Sequence, residues 1–212
     1  TVMNIALFTY GKDSIEISPY INNLGRYYKD VGRYEESEKL LLQSLELEKK
    51  YNADSSNVAD RINNLGHLYS LQHFNDKARE MCQQAYDIMT RNYDPYHFFT
   101  ATVCNNLGMT LVESGKIEEG EELLLKAIEI GKKVYGENQP QIVIYFKNLA
   151  SIYIEQQKWD EAKALLQKCL HINQKYFGKY HSSTLYVVKA LERFYDKIGN
   201  KRKANYYANW LQ

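Results

Sequence analysis

Side chains that could perform acid–base chemistry recur in this sequence at regular intervals. Neighbouring carboxylates stand at Glu35-Glu36, Glu118-Glu119 and Asp160-Glu161, and Asp76 occupies the matching place in a further stretch. An enzyme that uses two carboxylates as general acid and base needs such a pair once. A recurring pair is better explained by the start of a helix, where negative charge stabilises the unpaired amides. We therefore predict that these carboxylates are structural.

The other reactive side chains form no pattern typical of catalysis or metal binding. The five histidines are scattered, and no two share the H-x-x-x-H spacing of a zinc site. Cys104 and Cys169 occupy predicted packing positions and Cys82 lies beside one, which indicates buried thiols. Gly115-Lys116 lacks the flanking glycine of a phosphate-binding loop. We expect no metal, no cofactor and no enzymatic activity.

Paired asparagines are the remaining polar signal. The tetrapeptide NNLG begins at Asn22, Asn63 and Asn105, and a weaker copy, KNLA, begins at Lys147. Each carboxamide offers two donors and an acceptor. A row of them could therefore bind the main chain of an extended peptide, which gives affinity without dictating sequence. Whether they can do so depends on the elements that carry them.

Composition limits the class of protein. The chain has 212 residues, of which 44% are hydrophobic and 25% are charged, and its net charge is +1. A near-neutral charge argues against nucleic acid or an anionic membrane as the main partner. The sequence contains no apolar run of ~18 residues and no signal-peptide pattern at its start, and its cysteine count is odd. We expect a cytoplasmic protein without a small-molecule substrate.

Internal periodicity predicts the fold. The leucine of NNLG and its equivalents recur at intervals of 41 or 42 residues. A small residue follows each leucine after thirteen positions, and in four copies another follows seven positions later, which lets two helices approach closely. Gly32, Gly115 and Gly199 mark the turn between the two helices. The leucines are Leu24, Leu65, Leu107, Leu149 and Leu191, and the small residues are Ser37, Ala78, Gly120, Ala162 and Ala204, then Ser44, Ala85, Ala127 and Cys169.

A second set of turn residues separates the hairpins. Gly11, Asn52, Asp94, Gly136 and Gly178 are residue types that tolerate a left-handed backbone, so each is predicted to end the second helix of a hairpin in that conformation. One hairpin cannot cover its own apolar face, and stacking of hairpins does so. The sequence predicts an all-α fold, a solenoid of stacked helical hairpins.

At this point the sequence resembles a known family. Leu-Gly-x-x-Tyr followed by a small residue is similar to the tetratricopeptide repeat, and the 42-residue spacing, NNLG and the linker YGENQP resemble its kinesin-light-chain type. The resemblance implies a right-handed superhelix whose first helices line a concave groove. The proline that ends the second helix in shorter repeats is replaced here by Lys49, Thr90, Lys132 and Gln174, so that helix should run about one turn longer.

The repeat suggests one array over residues 1–212. Residues 1–10 match the end of a preceding second helix, and both ends lack an obvious polar cap. We expect either a part of a longer protein or a short array with unusual ends. The hairpins are predicted at about residues 16–52, 57–94, 98–136, 140–178 and 182–212.

A helical wheel places the asparagines opposite the apolar stripe of their own hairpin, at ~100° per residue. We expect this concave face to be wet, and the resemblance implies that its asparagines hold a bound peptide. The alternative is that some of them bond to neighbouring helices and set the stacking angle; the second asparagine of each pair is the better candidate for that role. The predicted asparagine ladder comprises Asn22, Asn23, Asn63, Asn64, Asn105, Asn106 and Asn148.

Other residues on this face give the groove its character. Arg26 and His67 make the early hairpins polar, whereas Met109 and Ile144 place apolar groups where a ligand side chain could bind. The alternative for the apolar groups is mutual contact in a tight superhelix. Cations follow in the last hairpins and suit an acidic or C-terminal group of the ligand. They are Lys147, Lys189 and Arg193.

The preferred hypothesis is a non-enzymatic module that binds an extended peptide of a partner protein in the groove. The alternative is a scaffold or sensor arm of a larger signalling protein that binds a folded domain or associates with itself. An adaptor, a chaperone-linked protein and a host-directed effector all fit the same fold, because a fold alone does not name a partner.

Overall fold

The computed structural model describes residues 2–211, with side chains from Ile5 onwards, so Thr1 and Gln212 of the predicted array lie outside the described residues. Within that range the chain is all-α, with two 3₁₀ turns at Ile15–Ile17 and Pro140–Ile142. None of these helices combines the length and apolarity needed to cross a membrane. The helices are α1 (Val2–Tyr10), α2 (Ser18–Asp30), α3 (Tyr34–Tyr51), α4 (Ser56–Leu71), α5 (Asn75–Asn92), α6 (Phe98–Glu113), α7 (Ile117–Tyr135), α8 (Val143–Glu155), α9 (Trp159–Phe177), α10 (Ser182–Lys197) and α11 (Lys201–Trp210).

The helices pack as antiparallel hairpins in two compact units, the first ending at Gly120 and the second beginning at Glu121. In the first unit α2 packs on α3 and α4 on α5, while α3 contacts α4 and α5 contacts α6. In the second unit α8 packs on α9 and α10 on α11, and α9 contacts α10. The same step from hairpin to hairpin recurs in each unit. The predicted fold class, an all-α helical-repeat solenoid, is confirmed.

The turns inside the hairpins need a left-handed residue. Gly32, Gly115 and Gly199 adopt φ of 78°, 82° and 76°, as predicted. In the other two hairpins His73 and Gln157 take this conformation with φ of 62° and 59°. A side chain with a Cβ pays a steric penalty in this region, so these two turns are strained where glycine would not be.

The turns between hairpins are of two kinds, one formed by a glycine and the other by a side-chain hydrogen bond. Gly11, Gly136 and Gly178 have positive φ, as predicted. Asn52 ends α3, as predicted, but in an extended rather than a left-handed conformation, with φ of −158°; Asp94 follows the end of α5 and is not among the described residues with positive φ. Their side chains form the turn instead. Asn52 Oδ1 accepts from the amide of residue 54 at 3.1 Å, and Asp94 Oδ1 accepts from that of residue 96 at 2.7 Å.

The small residues predicted at helix crossings are buried. Ala78, Ala85, Ala127 and Ala162 have no exposed surface. A Cβ added to Gly120 would lie 2.5 Å from Val112 Cγ2 and 2.6 Å from the Gly108 carbonyl oxygen, closer than atoms can approach. The second helices also continue past the positions of the missing proline and end two or three residues later, at Tyr51, Asn92, Tyr135 and Phe177.

A buried polar network joins α2, α3 and α4 in the first unit. Arg61 Nη2 lies 2.9 Å from Glu48 Oε1, and both side chains are almost fully buried. Ser18 Oγ donates to the same carboxylate oxygen at 2.7 Å, and Arg61 Nε donates to Ser44 Oγ at 2.9 Å. The ion pair has its hydrogen bonds satisfied, the condition under which a buried pair is tolerated.

Candidate functional site

The asparagines of the first unit bond to one another across neighbouring hairpins. Asn64 Nδ2 donates to Asn22 Oδ1 at 3.0 Å, which links α4 to α2. Asn106 Nδ2 donates to Asn63 Oδ1 at 3.0 Å, which links α6 to α4. In both links the second asparagine of one hairpin binds the first asparagine of the hairpin before it. This geometry agrees with the alternative role of setting the stacking of hairpins.

The prediction that this face is wet is wrong for most of the ladder. Asn22, Asn63 and Asn105 are only 3%, 2% and 5% exposed, and Asn64 is buried as well. The helical wheel treats each hairpin alone. In the first unit α4 contacts both α2 and α6, and these helices cover the asparagine side chains. Asn23 is exposed, and Asn106 and Asn148 are half-buried. That any of them holds a ligand stays a prediction.

The basic part of the first unit contains a residue that the predicted set omitted. Lys29 on α2 is only 7% exposed, and its Nζ lies 3.0 Å from Nδ1 of His67 on α4. Burial, followed by the neighbouring Lys29 ammonium, lowers the pKa of His67 to about 4. The outer surface of the imidazole stays exposed beside Arg26. Lys29 stands five residues after the repeat leucine, on the predicted groove face, so the sequence could have identified it.

Met109, expected to face solvent, is half-buried, as is Val112 on the same helix. Val112 lies close to Gly120 of α7, within its own hairpin.

The second unit has an open apolar groove between α8 and α10. A cavity of about 500 Å³ lies where the two helices begin. Its walls are mainly apolar, and Ile144 and Tyr186 are exposed there, at 43% and 61% of their surface. The lining residues are Pro140, Val143, Ile144, Lys147, Asn173, Phe177, Ser182, Ser183, Tyr186 and Val187.

A second, basic cavity of about 200 Å³ adjoins the first farther along the same two helices. It brings together the cations predicted from the sequence. Both Lys189 and Arg193 are exposed, so they can bind an anion without first losing a buried partner. The lining residues are Lys147, Asn148, Ser151, Ile154, Leu166, Tyr186, Lys189, Ala190 and Arg193.

Lys147 and Tyr186 form the boundary shared by the two cavities. Lys147 Nζ donates to Tyr186 Oη at 3.1 Å and lies 4.3 Å from the centre of the same ring. The predicted site omitted Tyr186, although it occupies the same repeat position as Ile144, five before the leucine. It also omitted Phe177, the last residue of α9, although an aromatic residue recurs at this repeat position at Tyr10, Tyr51, Tyr93, Tyr135 and Phe177.

The reactive groups set aside in the sequence lie in the interior. Cys82, Cys104 and Cys169 are buried thiols that form no disulfide. Burial raises the pKa of Cys82 and of Cys169 to about 12, so both thiols stay protonated at neutral pH. Among the described side chains no three His, Cys, Asp or Glu residues come together as a metal site would require.

Models of the tetratricopeptide repeat match residues 20–57, 57–133, 105–170 and 141–211, so nearly the whole chain is covered. The chain belongs to the tetratricopeptide repeat family. Tetratricopeptide repeats generally serve as scaffolds for protein–protein interaction, which agrees with the predicted class of function in its general form. No curated protein matches the sequence.

Solved structures show the same fold in distant tetratricopeptide proteins. BtubC (BKLC) from P. vanneervenii is 20% identical, with a TM-score of 0.75 over 99% of this chain and 89% of that one. A putative kinesin light chain of nearly identical repeats from Podosopora anserina is 22% identical, with a TM-score of 0.70 over 91% of this chain and 92% of that one. PilW, a type IV pilus biogenesis factor, is 20% identical, with a TM-score of 0.66 over 92% and 76%. At this identity the likeness concerns the fold.

Proposed function

We propose that this tetratricopeptide repeat protein is a non-enzymatic module that binds an extended peptide of a partner protein in the groove between α8 and α10. The observation that carries the proposal is the adjoining apolar and basic cavities, which share Lys147 and Tyr186. A pocket with apolar walls and a few convergent polar groups is typical of a ligand site.

The chemistry of the two cavities specifies the ligand. The larger cavity accepts an apolar side chain against Ile144, Phe177 and Tyr186. The smaller one accepts a carboxylate beside Lys189 and Arg193, whose guanidinium can bind both carboxylate oxygens. The ligand is therefore a segment that carries an apolar residue and an acidic residue.

The length of the groove sets their spacing. Ile144 and Ile154 line opposite ends of the groove, roughly 15 Å apart along α8 at 1.5 Å per residue. An extended chain advances about 3.3 Å per residue. Four or five residues therefore span the groove, and the apolar and acidic side chains should be two to four positions apart.

Lys147 supplies the remaining contact. When a ligand enters, its ammonium can leave the Tyr186 hydroxyl and bind a main-chain carbonyl or an acidic side chain of the peptide. The exchange replaces one hydrogen bond with another, so it costs little. Asn148, on the wall of the basic cavity, can contribute a carboxamide to the same main chain.

Selection from a random linear-peptide library tests the proposal. We expect enrichment of peptides in which an apolar residue precedes or follows an acidic residue by two to four positions. Binding of an enriched peptide, measured by fluorescence polarisation, should weaken at least tenfold in Lys189→Glu and in Ile144→Glu, and should also weaken as salt is raised. Lys175→Glu, which changes an exposed charge on α9 outside both cavities, is the matched control.

The outcome also separates the two hypotheses. If no linear peptide is enriched, or if an enriched peptide binds Lys189→Glu and Ile144→Glu as well as the unaltered protein, the groove is not the site. A scaffold that binds a folded domain or a second copy would then be the better hypothesis.

A further inference from the structure

The geometry points to a second binding site in the first unit, in which Arg26 and His67 bind an oxyanion, either a carboxylate or a phosphoryl group of a partner, and Lys29 orients His67. Arg26 and Lys29 lie one turn apart on α2, and His67 lies on α4. The site does not depend on the groove of the second unit.

The contact between Lys29 and His67 determines which nitrogen of the imidazole donates. A lysine ammonium can only donate, so His67 Nδ1, at 3.0 Å from it, must be the acceptor. The ring proton is then on Nε2. Because His67 is exposed and its Nδ1 is bound to Lys29, Nε2–H is the ring donor that remains for a ligand.

Positive charge is in excess around this imidazole. Lys29 Nζ lies 3.6 Å from Asp30 Oδ1, but that carboxylate is 71% exposed and the ammonium only 7%. Arg26, Lys29 and Asp30 are the charged groups of α2 that act on His67, so two cations face one anion. On α6, the other first helix that contacts α4, the residue at the equivalent repeat position is the uncharged Met109, and the carboxylate of Glu113 bonds to Ser70, one turn further along α4.

The electrostatics of the free protein agree with this surplus. Burial lowers the pKa of Lys29, and burial with the nearby ammonium holds the pKa of His67 at about 4. An oxyanion placed between the Arg26 guanidinium and His67 Nε2 would oppose the effect of the cations on His67, although it would leave the burial unchanged. It would accept from a planar guanidinium fork and from a ring N–H, the arrangement that favours carboxylate and phosphate oxygens.

Binding at this site should therefore raise the pKa of His67. An anion favours the protonated imidazole, so the free protein loses its proton near pH 4 while the complex holds it to higher pH. By linkage the affinity for the anion rises as the pH falls from 7 towards 4. The anion must itself keep a constant charge over that range, which sulfate does.

NMR titration of the complete chain tests the inference, following the His67 ring signals between pH 7.5 and 3 in sodium sulfate or sodium chloride, and above pH 5.5 also in sodium acetate, at equal ionic strength. We expect the pKa of His67 to be about one unit higher in sulfate than in chloride, a tenfold change in proton affinity. Arg26→Gln should abolish the difference. Arg79→Gln, on α5 beside Asp76, should preserve it, and the exposed His171 should show no such shift.

Each result has a definite meaning. An effect of sulfate above pH 5.5, where acetate has none, supports the site and indicates a phosphorylated ligand. Comparable effects of both anions support the site and indicate that a carboxylate suffices. Equal behaviour in chloride and sulfate, or a sulfate effect that survives Arg26→Gln, would show ionic screening alone and overturn the inference.

Discussion

The inner faces of the two units, formed by α4 and α6 in the first and by α8 and α10 in the second, differ at the same two repeat positions. In the first unit Asn63 and Asn106 close the space between α4 and α6 with a hydrogen bond. In the second unit the corresponding residues of α8 and α10 are Lys147 and Ala190, and a groove with two cavities lies between them.

The difference shows how a repeat protein can vary one surface while keeping its fold. The buried positions that hold each hairpin together, such as Leu65 and Leu149, are filled alike in both units. The inner-face positions determine whether neighbouring first helices bond to each other or leave room for a ligand. An amide pair stabilises the contact, whereas an alanine beside a lysine supplies space and charge.

Breaking the buried ion pair of the first unit should have the largest effect. Glu48→Ala removes the buried carboxylate partner of Arg61 and leaves the guanidinium only Asp60, which should lower the free energy of unfolding by about 2–4 kcal/mol in urea denaturation followed by circular dichroism. Glu155→Ala removes the exposed pair with Lys197 in the second unit and should change it by less than ~1 kcal/mol. Similar losses in both variants would contradict the conclusion that Glu48 and Arg61 form a buried ion pair.

The amide pair of the first unit and the lysine of the second can be compared directly at one repeat position. Asn63→Ala removes the acceptor of Asn106 Nδ2 from a buried site and should cost about 1–3 kcal/mol of unfolding free energy. Lys147→Ala, at the equivalent place, should leave the melting temperature nearly unchanged while it weakens peptide binding.

A stable Asn63→Ala variant that does not bind peptide would contradict this comparison. If Asn63→Ala melts like the unaltered protein but loses peptide binding, the asparagine ladder is a ligand site after all. The first unit would then hold a ligand site of its own at Asn63.

The two inner faces should also be convertible. Lys147→Asn combined with Ala190→Asn places two asparagines at the positions that Asn63 and Asn106 hold in the first unit. We expect a gain of about 0.5–1.5 kcal/mol in unfolding free energy and a loss of peptide affinity of roughly tenfold or more. The single Ala190→Asn variant is the control, since one amide without its partner should give no gain in stability.

The smallest effect should be equal in both units, because the turns within hairpins depend on local backbone conformation. His73→Gly in the first unit and Gln157→Gly in the second relieve a left-handed backbone at residues with a Cβ, and each should stabilise by up to ~1 kcal/mol. Gly115→Ala, which introduces the same strain at φ of 82°, should destabilise by a similar amount. Thermal melts measure all three, and opposite signs for His73→Gly and Gln157→Gly would show that the turns are not equivalent.

Most of the fold could be predicted because it depends on local periodicity. The spacing of Leu107, Gly115 and Gly120 specifies a helix, a turn and a close crossing without reference to the rest of the chain. The conformation of Asn52 could not be predicted from residue type alone, because a left-handed backbone and a side-chain hydrogen bond both end a helix there, and asparagine suits either.

The site was predictable only in part. The sequence identified Ile144, Lys147, Lys189 and Arg193, which line the two cavities, because all four follow the repeat register. Phe177 joins them from the end of a second helix, outside the first-helix positions on which the prediction was based, although an aromatic residue recurs there in the earlier repeats.

The sequence by itself determined the hairpins, their order and which residues face away from each hairpin's own core, because these follow from helix periodicity and turn chemistry. Only the tertiary structure decided whether that outward face is buried or open. The amide of Asn63 is buried because α6 lies against α4, and Lys147 borders a groove because Ala190 leaves space beside it. That outcome depends on two residues about 43 positions apart meeting in space, which no pattern within one repeat can specify.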